Sequence, residues 1–133
     1  MAASMFAMMA AVFGEDAEAL SSDYVERLLG RYDFWAIAAL DDGEPIAGLT
    51  AFVLPLTRAE AAELFIYDIA VQPRYRRRGI GRRLVAAARD LAAGAGIATI
   101  FVPAENDDAE ALEFYRAIGG APTPATFFTF SRR

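Results

Sequence analysis

The 133-residue chain has no cysteine, no histidine and no lysine; all thirteen of its basic residues are arginine. Disulfides, a thiolate nucleophile, a Ser-His dyad and a thiolate or imidazole metal site are therefore excluded, so no metal is expected. Proton chemistry falls to Asp, Glu or Tyr, or to a water they hold, which favours direct attack on a bound donor over a covalent acyl-enzyme. The lack of cysteine is compatible with the cytosol. No apolar run reaches the eighteen or so residues that cross a membrane, although more than half of the residues are apolar. The opening stretch MAASMFAMMAAVF carries no positive charge and the first arginine is Arg27, so it reads as a helix rather than a signal peptide.

Acid is also missing where charge is densest. Residues 72–83 hold six arginines and no carboxylate, while the net charge is −5; without those six the rest of the chain stands at −11. Such a surface attracts cations and repels nucleic acid, so the arginine cluster reads as a local cofactor site with no nucleic-acid or membrane partner.

That cluster belongs to the stretch the chain is organised around, LFIYDIAVQPRYRRRGIGRRLV at 64–85: an apolar strand, an arginine-rich glycine turn and a helix start. Glycines at 79 and 81 allow backbone amides to converge on one point, and the positive end of the helix from Ile80 comes to the same place. With Arg74, Arg76, Arg77, Arg78, Arg82 and Arg83 around it, the turn suits a pyrophosphate. It is not a Walker loop, lacking Gly-Lys-Ser/Thr, and it lacks the third glycine of the dinucleotide fingerprint. A strand-to-helix turn with a solvated basic face is the structural alternative.

The pattern predicts one domain over 1–133. Its expected elements are a helix over 4–13 ended by Gly14, and a second helix capped at Ser21, Ser22 or Asp23 whose Val25, Leu28 and Leu29 face the core. Strands follow over 34–40 and 46–54, joined by a hairpin turn at 41–45, with Gly48 a candidate bulge. A central strand over 64–71 leads to a helix from Ile80 to about Ala93. A strand over 97–102, a helix capped by Asp107 or Asp108 and ending near Ile118, and a strand over 126–130 complete a mixed, mostly antiparallel sheet flanked by helices.

Arg76, Gly79 and Gly81 hold the fixed positions of the Arg/Gln-x-x-Gly-x-Gly/Ala loop, and here the chain resembles the GCN5-related N-acetyltransferases. The resemblance implies their α/β fold, without the usual first strand, and acetyl-CoA as acyl donor. It places the pyrophosphate on Arg76, Arg77, Arg78, Gly79, Ile80, Gly81 and Arg82, and the pantetheine arm beside Ile69, Ala70 and Val71, paired with the backbone of Ile69 and Val71. That pairing requires the central strand to splay from the 97–102 strand, which no sequence feature demonstrates. In ALEFYRAIGG, Tyr115 matches the tyrosine that protonates the leaving thiolate; an ordinary packed helix aromatic is the alternative.

Asp68 is a carboxylate in an otherwise apolar strand. Burying it unpaired is costly, so it meets an arginine, a hydrogen-bond cluster or an open cleft, where it could bind or deprotonate an incoming ammonium. Together ELFIYDIAV, WAIAAL, AGLTAFVLPL and the acidic loop before ALEFY resemble the aminoglycoside 3-N-acetyltransferases over nearly the whole chain from about residue 8. The resemblance implies antibiotic resistance, a polycationic aminosugar acceptor at Asp68, and a homodimer. Glu105 and Asp107 are acceptor-binding candidates beside simple helix capping, with Glu60 and Glu63 weaker ones. Tyr67 lines the acceptor site or packs in the core, and strand alternation sets it opposite Asp68 unless a bulge intervenes. Acetylation of another amine, such as a polyamine or protein N-terminus, and a non-catalytic acyl-CoA-binding module are the rival readings.

Overall fold

The computed structural model describes residues 1–15 and 18–132, which form two compact units, Met1–Pro103 and a second from Ala104 on. In the first unit, α1 (Ala2–Val12) and α2 (Ser22–Leu29) precede β1 (Phe34–Asp41), β2 (Glu44–Pro55) and β3 (Ala62–Val71). A 3-10 turn at Pro73–Tyr75 leads into α3 (Ile80–Gly94) and then β4 (Thr99–Phe101). The sheet order is β1-β2-β3-β4, antiparallel at the first two junctions and parallel at the third, so it is the expected mixed sheet.

The helices fall on opposite faces for reasons visible in the strands. Ala47, Leu49 and Ala51 of β2 and Leu64 and Ile66 of β3 are buried with Leu84, Ala88 and Ala92 of α3, which recur every four residues. Trp35, Ile37 and Ala39 of β1 pack against the same cluster, so alternate positions of three strands make one apolar face. On the other face Met5 and Met9, one turn apart on α1, bury against Ala70. Gly48 is what lets that helix approach: a Cβ there would lie 2.8 Å from the Met5 Cγ and Sδ and the Met9 Sδ. Gly48 is thus a contact glycine and not the bulge expected from sequence. The two register shifts fall instead at Ile46, the extra residue between Ala39↔Ala47 and Leu40↔Pro45, and at Tyr67 in β3.

Local rules account for the ends. The Ser21 hydroxyl accepts the Tyr24 N–H at 3.1 Å and starts α2, in which Val25 is buried but Leu29, expected in the core, is 48% exposed. After α1, Gly14 takes φ +73°; its N–H bonds the Ala11 carbonyl and the Glu15 N–H bonds the Ala10 carbonyl, a turn open to few residues other than glycine. Only 99–101 of the expected 97–102 strand pairs, because Ile97 is spent closing α3: its N–H bonds the Ala92 carbonyl and its side chain is buried.

In the second unit, α4 (Ala109–Ala117) is capped by Asp108, which accepts the Ala111 N–H at 3.1 Å. The strand expected over 126–130 is not formed: Phe127, Phe128 and Phe130 are 75%, 81% and 94% exposed. Aromatic and β-branched residues favour a strand only where another strand pairs with them, and among the described residues none pairs with this segment.

Gly48→Val should destabilise the chain by about 1–3 kcal/mol through overpacking against Met5 and Met9, read as a lower urea midpoint. Gly48→Ala should cost less, because the methionine chains can yield.

Candidate functional site

The turn after β3 is built to present amides. Arg77 has φ +62° and Gly79 φ +75°, two left-handed residues within three positions, and such strain in a non-glycine residue concentrates at sites of function. Gly79 is the N-cap of α3 with no side-chain cap, and the first turn of the helix carries no acid. The Arg83 N–H is the donor to the Gly79 carbonyl at 3.1 Å, so the amides of Ile80, Gly81 and Arg82 precede the helical ladder. Uncapped amides, a positive helix end and exposed arginines fit a pyrophosphate.

Arg76 is engaged elsewhere: its Nε donates to the Val71 carbonyl at 3.3 Å. That bond identifies the open side of β3. The Gln72 N–H donates to the Ile46 carbonyl at 2.9 Å, so by ladder alternation Ala70 and Asp68 direct their backbone groups toward β2. Ile69 and Val71 then direct theirs to the opposite edge. β4 pairs there only with Glu63, Leu64 and Phe65, and among the described residues no strand pairs along 66–71. The splay that sequence could not reveal is present, and the groups on that edge are those of Ile69 and Val71, the Val71 carbonyl being taken by Arg76.

The splay begins at the bulge. Thr50 pairs with Asp68 and Ala51 with Ile66, leaving Tyr67 as the extra residue. Facing is thereby reset: Ile66 packs toward α3, and so do Ile69 and Val71, whereas Ala70 packs on α1. Tyr67 and Asp68 consequently share the α1 face, contrary to simple alternation. Tyr67 is 59% exposed and continues an aromatic row on that face, with centroid separations of 6.0 Å to Phe52, 5.6 Å to Phe65 and 4.9 Å from Phe65 to Phe101.

Asp68 is half-buried opposite Thr50, and among the described residues no arginine pairs with it. Loss of solvent raises its pKa above the ordinary carboxyl value, and the charge of Glu15 raises it further. Sequence reading missed Glu15, which lies 53 residues upstream of Asp68 and is placed by the Gly14 turn. It also missed Asp41, at the end of β1, which accepts the Tyr75 hydroxyl at 2.7 Å beside the arginine turn. Charge density along the chain gives no signal for either.

The remaining candidates separate. Glu63, the second residue of β3, pairs with Thr99, and Glu60 lies exposed in the loop before the strand. In the second unit Tyr115 is half-buried on α4, its ring 5.1 Å from that of Phe114. Its carbonyl accepts the Gly120 N–H at 2.8 Å, which fixes the helix end. Glu105 and Asp107 are exposed; Asp108, not Asp107, makes the cap.

The sequence pattern of the acetyltransferase (GNAT) family matches residues 4–119. An aminoglycoside acetyltransferase from an uncultured soil metagenomic sample, solved in complex with sisomicin, superimposes with a TM-score of 0.93 at 28% identity, covering 98% of this chain and 87% of that one. A second, HMB0005, also from an uncultured soil metagenomic sample, gives 0.88 at 30% identity, covering 96% and 88%. The aminoglycoside N-acetyltransferase AAC(6')-Iy, solved in complex with CoA, shares the fold at 20% identity, with a TM-score of 0.74 over 84% of this chain and 85% of that one. A search of curated proteins finds no match.

With its pKa raised in the folded chain, Asp68 favours the folded state when protonated, and that stability is lost as pH rises through the raised value. Asp68→Asn should therefore melt higher than the parent at pH 8. The gain should vanish below about pH 4, near the unfolded carboxyl pKa, in paired thermal scans.

Proposed function

The chain belongs to the acetyltransferase (GNAT) family, and on that premise we propose that it transfers the acetyl group of acetyl-CoA to a primary amine of an aminoglycoside, with the 3-amino group as the target, and so confers resistance. The single observation that carries the acceptor class is the uncompensated Asp68 carboxylate, set by the bulge beside the Tyr67 ring and within the field of Glu15. A carboxylate with no cationic partner among the described residues recruits one from solution, and a polycationic amine meets both acids. The likeness to two aminoglycoside acetyltransferases, one of them in complex with sisomicin, supports the narrower choice.

Acetyl-CoA supplies an activated acyl group as a thioester. The amides of Ile80, Gly81 and Arg82, with Arg77 and Arg78, hold its pyrophosphate, and the backbone of Ile69 and Val71 aligns the pantetheine arm as an added strand. Arg76 joins them when its bond to the Val71 carbonyl is exchanged for one to the ligand.

An amine attacks only when neutral, so the ammonium proton must leave first. Asp68 takes it directly or through water, and its raised pKa makes it a better base than an ordinary carboxylate. As the new C–N bond forms and the C–S bond breaks, the Tyr115 hydroxyl gives its proton to the departing sulfur, and the nitrogen sheds its second proton to water, from which the phenolate is reprotonated. Attack is direct, in a ternary complex, since the chain has neither cysteine nor histidine to carry the acyl group.

The test is CoA release by the purified chain with gentamicin-type aminoglycosides, spermidine and a peptide amine, with the product located by mass spectrometry and NMR. One acetyl added to the 3-amino group of an aminoglycoside is the expected result. Turnover confined to spermidine or the peptide overturns the acceptor class, and acetyl-CoA binding with no turnover on any of them overturns catalysis.

A further inference from the structure

The arginine turn carries like charges that repel one another before any ligand arrives, yet its only aromatic residue gathers two of them. The guanidinium carbons of Arg74 and Arg78 lie 5.0 and 5.3 Å from the Tyr75 ring centroid, within cation–π range. The Tyr75 hydroxyl accepts from Arg74 at 3.2 Å and donates to the Asp41 carboxylate at 2.7 Å. Asp41 comes from 34 positions away, at the tip of the β1–β2 hairpin, where Asp42 and Gly43, with φ +51° and +80°, turn the chain back at once. The acid absent from 72–83 is thus delivered by another part of the sheet, through a phenol.

From this network we infer that Tyr75 is a positioning residue for the acyl donor: braced on Asp41, it holds Arg74 and Arg78 in place so that the turn meets the donor's pyrophosphate already arranged. The inference rests on the acyl-donor reading of the turn given above. Its physical basis is preorganisation. Two long, exposed arginines lose rotamer freedom when they close on an anion, and a ring that already orders them reduces that cost. Asp41 reaches them through the hydroxyl, which polarises the phenol and offsets part of the repulsion between the two cations. Tyr75 is half-buried, so the ring resists displacement by solvent.

The experiment is calorimetric titration of the full chain with acetyl-CoA, together with steady-state kinetics, for the parent, Tyr75→Phe, Asp41→Ala, Asp41→Asn and the double variant Tyr75→Phe/Asp41→Ala. Phenylalanine keeps the ring faces and removes only the hydroxyl. Tyr75→Phe and Asp41→Ala should each raise the Kd by about three- to tenfold, the range of one hydrogen bond, and the double variant should be no worse than either single one. Asp41→Asn, which still offers an acceptor oxygen, should restore most of the affinity. The loss should fall on the KM for acetyl-CoA and not on kcat at saturating donor. Unchanged Kd values in Tyr75→Phe and Asp41→Ala, additive losses in the double variant, or a fall in kcat at constant Kd would each overturn the brace while leaving the donor site standing. A parent chain that fails to bind acetyl-CoA would overturn the donor reading itself, and the brace with it.

Discussion

One extra residue in β3 governs the arrangement of the site. Because Tyr67 has no partner of its own in β2, the facing of every later residue in the strand is reversed relative to simple alternation. Ile69 and Val71 thereby keep their apolar side chains on the α3 face and Asp68 is turned to the α1 face, beyond the point at which pairing with β4 ends at Phe65. Without the bulge Asp68 would point into the apolar cluster of Leu49, Leu64 and Leu84, where an unpaired carboxylate costs several kcal/mol by order of magnitude. The same irregularity thus serves the acceptor side and the donor side.

The charges follow that division. Cations concentrate at the end of β3, where Gly79 opens α3, and acids at Asp68 and Glu15 on the α1 face. Each end meets a ligand group of the opposite sign, a pyrophosphate at one and an ammonium at the other. Asp68 is held at a cost in solvation and Arg77 in a left-handed backbone, so parts of the site are maintained against local preference. The surrounding core, with Leu49, Leu64 and Ile66 fully buried and Gly48 admitting α1, supplies the stability that tolerates this.

What could be read from the sequence depended on whether the cause was local. The glycine turn, the Asp42-Gly43 hairpin, the caps at Ser21 and Asp108 and the α3 periodicity are short-range signals, and each lies where residue types place it. The oddity of Asp68 was equally legible, since a carboxylate amid Phe, Ile, Tyr and Val needs a reason. Its facing was not, because a bulge depends on register with β2, which no single strand encodes. Glu15 and Asp41 were invisible for the same reason, each reaching its partner only through a tight turn and a long-range contact. The segment 126–130 failed in the opposite direction: its residues favour a strand, but propensity cannot supply a partner.

The central claim is that the open edge of β3, beyond the bulge, receives the acyl donor. Residue-resolved amide hydrogen exchange, with and without acetyl-CoA, tests it most directly, because the Ile69 and Val71 amides face that edge and should exchange quickly in the ligand-free chain. The account predicts that acetyl-CoA slows exchange at Ile69 and Val71 together with Ile80, Gly81 and Arg82, and leaves Ala70 unchanged. Binding that leaves Ile69 and Val71 as fast as before, or protects a different strand, would contradict it.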